Sequence, residues 1–180
     1  MKFETAIQDL DPASLSKRLA EIFAYWESKR GDHFAPAWEE FHLDELDPQS
    51  VPLSVVVDVI ADPLDFVYRF HGTARARVEG RDWTGHSVRD LRPPELGEKV
   101  YRELSIVVEQ RVPVHFVNKG ITDQGEDLQY EFLRLPLSSD KRTVDKIYSM
   151  GFNDQSLSVL RRQFGTETAN YPSGLSKKKT

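Results

Sequence analysis

Residues 53–73 read LSVVVDVIADPLDFVYRFHGT. The first part is a valine-rich run too short for a solitary helix, and its β-branched content predicts a buried strand over 53–60. Asp62-Pro63 turns the chain. Phe66, Tyr68 and Phe70 then alternate with Val67, Arg69 and His71, the period of a second strand, which Gly72 ends. So short a connection makes an antiparallel hairpin. Two strands alone are only marginally stable, so the hairpin must belong to a larger sheet. Val55, Val56 and Val57 are apolar on both faces, so both faces of that sheet must be covered.

Downstream, a short helix is expected over 74–79, a helical turn over 87–91 and a longer helix ending near Gln110. Its stripe is Val100, Leu104, Val107 and Val108, and Pro113 stops it. Strands follow over 114–122, 127–137 and 144–153, joined by turns at 123–125 and 138–142. A last helix over 154–165 and a flexible tail over 166–180 complete the chain. Upstream, 1–11 reads as a flexible terminus. Asp11-Pro12 reads as N-cap and first helical residue, opening a helix over 12–31 closed by Gly31. Its stripe is Leu15, Leu19, Ile22, Phe23 and Trp26. That stripe either packs on its own domain or pairs with the same helix of a second copy as a homodimer interface, and both can hold together. Residues 32–52 are irregular.

The order gives an α+β architecture, a five-stranded antiparallel sheet over 32–153. Helices lie on one face, and the N-terminal helix flanks the other or dimerises. The 180 residues suit one domain. With 39% hydrophobic and 29% charged residues the composition is that of a folded protein. The net charge of -5 offers no basic face for nucleic acid. No apolar window approaches a membrane span or a signal peptide. The chain has no cysteine, which excludes disulfides and thiolate chemistry. A cytoplasmic location is expected.

Several short matches run in order along the chain. They are Tyr25-Trp26, Asp47-Pro48, the run from Asp65 to Thr73, Gly80-Arg81-Asp82-Trp83-Thr84-Gly85, Val112-Pro113 and Leu135-Pro136-Leu137-Ser138. Together they resemble the stand-alone PAS-domain family common in alphaproteobacteria. The resemblance implies a PAS-like fold and a sensory or regulatory role in signal transduction, with output through contact with a signalling protein partner. It specifies no cofactor. Covalent flavin photochemistry in such domains needs a cysteine, and a haem usually needs an axial histidine, absent from the long helix.

The five histidines form no i, i+4 metal pair and no His-Glu-x-x-His run, so no metal site is predicted. There is no phosphate loop and no Gly-x-Ser-x-Gly elbow, and no enzymatic activity is predicted. What remains is a small-molecule cavity between sheet and helices. Arg69, His71, Arg75 and Trp83 are its candidate lining, one aromatic and several cations suited to a small acidic or aromatic ligand. Strict alternation sends Arg69 and His71 to one face and Tyr68 to the other. The plainer reading is that Arg69 pairs with an acid and Trp83 belongs to the core. In that case the protein is a ligand-free dimerisation or adaptor module.

Overall fold

The computed structural model describes residues 2–8, 10–121 and 125–151. Six strands form one antiparallel sheet: β1 (Lys2–Gln8), β2 (Ser54–Ala61), β3 (Leu64–His71), β4 (Val114–Ile121), β5 (Asp127–Leu137) and β6 (Lys146–Gly151). Their spatial order is β1-β4-β5-β6-β2-β3. The last five are the expected sheet, with β4, β5 and β6 as a meander and β2–β3 as the hairpin. The long-range pairing of β2 with β6 joins the two.

The sixth strand is a correction. Residues 1–11 were expected to be flexible, yet β1 pairs along its whole length with β4, from Lys2 opposite Ile121 to Gln8 opposite His115. From Glu4 to Gln8 its side chains are exposed, so no buried stripe announces that part of it. The partner that makes it a strand lies over a hundred residues away. The turn expected at 123–125, apart from Gly125, lies outside the described residues, as do the helix at 154–165 and the tail.

Helix α1 (Lys17–Arg30) covers one face of the sheet. It starts later than expected. Asp11 caps a single 3-10 turn, Pro12–Ser14, accepting a hydrogen bond from the Ala13 amide at 2.9 Å. Leu15 is then extended, and Ser16 becomes the residue before the helix proper. Leu15, Leu19, Ile22 and Trp26 are all buried within the chain. The Trp26 indole donates to the Pro136 carbonyl on β5 at 2.8 Å. The apolar stripe therefore packs on its own domain, and only Phe23, stacked 6.0 Å from Trp26, remains half-buried. Burial removes Leu15, Leu19, Ile22 and Trp26 from any free surface on which a second copy would pair.

Helices α2 (Thr73–Val78) and α3 (Pro94–Gln110) cover the opposite face. Gly72 opens α2 where no other residue fits. A Cβ there would lie 2.3 Å from the Pro52 carbonyl oxygen. Its φ of -59° is ordinary, so the demand is purely one of space.

Candidate functional site

The face of β3 is decided by one irregularity. Val55, Val56 and Val57 pair with His71, Phe70 and Tyr68, so Arg69 is an extra residue between the partners of Val56 and Val57. A β-bulge of this kind resets the alternation of every residue before it. Tyr68 and His71 consequently share the inner face, with ring centroids 5.3 Å apart. Arg69 turns out to solvent and binds Asp58 at 2.7 Å. This corrects the strict alternation that grouped Arg69 with His71 and excluded Tyr68.

Beneath α2 and α3 lies a cavity of about 40 Å³, lined by residues of these helices and of the inner sheet face. Two buried ionic clusters meet there. In the first, Glu79 accepts from Arg75 Nη2 at 2.5 Å and sits 3.2 Å from His71 Nε2. Arg75 and Glu79 are one turn apart at the end of α2, and each side chain is 9% exposed. In the second, Arg134 on β5 donates to Glu103 Oε2 from Nη2 at 2.5 Å and from Nε at 3.2 Å. Its Nη1 donates to Ser149 on β6 at 2.9 Å. Lys99, four residues before Glu103 on α3, donates to the same carboxylate. The Phe132 ring stands 5.1 Å from both guanidiniums, so an aromatic face screens two like charges.

The electrostatics follow from burial and pairing. Burial alone would raise the Glu103 carboxyl, but Arg134 and Lys99 overcome it and hold it below the ordinary value of 4.5. Glu79 is likewise pushed up by burial and brought below 4.5 by Arg75 and His71. Burial also raises the phenols of Tyr68 and Tyr130, which keeps both neutral. Lys99 is lowered from 10.5 by burial, and Glu103 only partly offsets this against the repulsion of Arg134 and Arg75.

Of the four residues singled out by sequence, Arg75 lines the cavity. His71 lies behind it, joined through Glu79. Arg69 is on the outside of the sheet. Trp83 is buried in the loop after α2 and packs edge-on against His86, with Arg81 stacked 4.7 Å from its ring. It is not among the residues lining the cavity. Sequence reasoning missed Glu79, Lys99, Glu103, Arg134 and Ser149. Two signals point to them. Lys99 and Glu103 interrupt the apolar face Leu96, Val100 and Leu104 at a four-residue spacing, and Arg134 is a lone cation in the run FLRLPL.

Among the described residues no group of three or more histidines, aspartates and glutamates is placed to hold a metal. Among them, too, no helix is long and apolar enough to cross a membrane. A flavin does not fit the cavity as it stands. Pockets for ligands of that size run to roughly 300–1,000 Å³, whereas 40 Å³ holds about three waters.

A family model described as a PAS domain matches residues 11–151. The chain belongs to that PAS-domain family. No curated protein matches the sequence. Among solved structures, an RNA-binding light-oxygen-voltage receptor matches at 14% identity and a TM-score of 0.44. The match covers 93% of this chain and 42% of that one, so the chain spans less than half of that receptor's length. The dark form of the blue-light photoreceptor Aureochrome1 matches at 14% identity and a TM-score of 0.42, covering 66% of this chain and 88% of that one. A fungal light-oxygen-voltage photoreceptor matches at 14% and 0.41, covering 75% and 90%. Their light responses, and the RNA binding of the first, belong to those proteins.

Proposed function

We propose that this protein is a sensory module in which a small ligand entering the cavity under α3 changes contact with a signalling protein partner. The observation that carries this reading is the pair of ionic clusters around the cavity. Buried ion pairs seldom add stability over apolar packing, because desolvating both partners offsets their attraction. A fold with no use for them is better served by leucines. Buried charges converging on a cavity are the usual mark of a binding site.

The sheet supplies a route outward. Arg134 faces the cavity from β5, and two residues on, the Pro136 carbonyl holds the Trp26 indole of α1. A change in the Arg134–Glu103 pair bears on the strand to which α1 is anchored. The output surface in this reading is the exposed side of α1.

The test uses the full chain in a thermal-shift panel of small acids, amides, alcohols and amines, followed by hydrogen exchange with any binder. The expected result is a stabilising ligand whose effect Val100→Phe abolishes by filling the cavity, together with altered exchange in α1. Failure of every chemical class to shift the wild-type protein would sink the proposal in favour of a ligand-free adaptor.

A further inference from the structure

Three cationic side chains, Arg75, Lys99 and Arg134, line one small cavity. Among the described residues, two carboxylates form ion pairs with them. Glu79 answers Arg75. Glu103 is shared by Lys99 and Arg134, so this end of the cavity carries one positive charge more than its carboxylates neutralise. A surplus charge held away from water is costly unless an anion joins it. The behaviour of Lys99 agrees, since burial and two neighbouring guanidiniums disfavour its charged form despite contact with Glu103.

The chemistry of the missing anion follows from the walls. A guanidinium fork and an ammonium are the groups best suited to a carboxylate. The helix side of the same cavity is apolar, formed by Leu96, Val100 and Leu104. Phosphate or nitrate would turn an oxygen toward that wall, where no side chain donates. An alkyl end would bury favourably there. One surplus charge calls for one carboxylate. A volume of about 40 Å³, room for about three waters, limits the ligand to about three to five non-hydrogen atoms.

We infer that the cavity binds a short-chain monocarboxylate of the size of acetate or propionate, its carboxylate beside Glu103 as a second anion for Lys99 and Arg134 and its alkyl end against Leu96, Val100 and Leu104. The inference rests on the reading of this cavity as the sensory site and specifies the ligand class for it.

The experiment titrates the isotope-labelled full chain with acetate, propionate, propionamide and nitrate near pH 7, followed by amide resonances in α3 and β5. Acetate and propionate should shift Lys99, Leu104 and Arg134 saturably. Propionamide and nitrate should bind at least tenfold more weakly. Lys99→Met should raise the propionate Kd at least tenfold. Val100→Phe, which leaves every charge in place, should abolish binding, and it decides the matter if Lys99→Met fails to fold. Equal affinity for propionamide, or for nitrate, would overturn the carboxylate while leaving a ligand cavity in place. No response to either carboxylate would overturn it as well. The sensory reading then stands or falls on whether another class in the wider panel binds in a manner sensitive to Val100→Phe.

Discussion

The rings of Tyr68 and His71 meet edge to face, 5.3 Å between centroids, although the two residues are three apart on one strand. An odd separation places residues on opposite faces of a regular strand. Arg69, the extra residue of the bulge, restores them to one face and is itself expelled to solvent. The inner wall of the site is therefore set by which residues of β3 pair with β2, and the unpaired Arg69 stays outside it.

Replacing the Arg69 side chain and deleting the residue should both leave the inner face of β3 intact. Arg69→Ala loses only a half-exposed pair with Asp58, and its cost should be at most about 1 kcal/mol in urea denaturation. Deleting Arg69 removes the one residue without a partner and leaves every β2–β3 pair in place, so Tyr68 and His71, then two apart, should stay on one face and the domain should still fold. A deletion variant that unfolds or loses native near-ultraviolet dichroism would show that the bulge does more than take up one unpaired residue.

Acid should weaken the protein through its buried carboxylates. Glu79 and Glu103 both titrate below 4.5 in the folded state. Their contribution is therefore fully present above the unfolded value and is lost as pH falls through the folded one. The urea midpoint should hold between pH 7 and about 5 and decline below about 4.5. At pH 7, Glu103→Gln leaves Arg134 and Lys99 buried without a counter-charge and should cost about 3–5 kcal/mol. The same variant should show a shallower decline in acid, having one fewer carboxylate to protonate. An unchanged slope would mean that Glu103 is not the group responsible.

Gly72→Ala is a test of space alone. The new methyl would approach the Pro52 carbonyl to 2.3 Å, a backbone atom that cannot rotate away. Destabilisation of about 3 kcal/mol is expected, read as a lower urea midpoint at constant slope. A cost of a few tenths would show that the Pro52 turn yields freely.

The double change Leu19→Asp with Ile22→Asp separates the two roles once open to α1. Both side chains are almost wholly buried in their own chain, 2% and 3% exposed. Two carboxylates placed there without partners should unfold the protein. A folded monomer arising from a larger wild-type assembly, by light scattering, would instead restore the helix to a dimer interface.

Local pattern alone was enough for most of the fold. The valine run before Asp62-Pro63, the aromatic alternation after it and the stripe of α3 each state their period within a few residues. The boundaries of β2, β3 and α3 follow to within one or two positions. Elements that depend on distant partners were not legible. β1 is a strand because β4 lies beside it, and the exposed side chains of Glu4 to Gln8 carry no trace of that pairing. The candidate site was legible only in part. Tyr68 and His71 stand in the stretch that marks the fold and Arg75 two residues past it, but Glu103 and Arg134 lie 31 residues apart and meet only across the closed core.

Sequence by itself determined that residues 53–73 form a hairpin in a sheet covered on both faces, because side-chain period and turn chemistry are local properties. Tertiary structure alone decided which residues of that hairpin face the cavity. The extra residue at Arg69 has no signature of its own and exists only as a mismatch in length between two paired strands. Tertiary structure also decided that two cations share one carboxylate, since a charge balance is set by which groups are buried together.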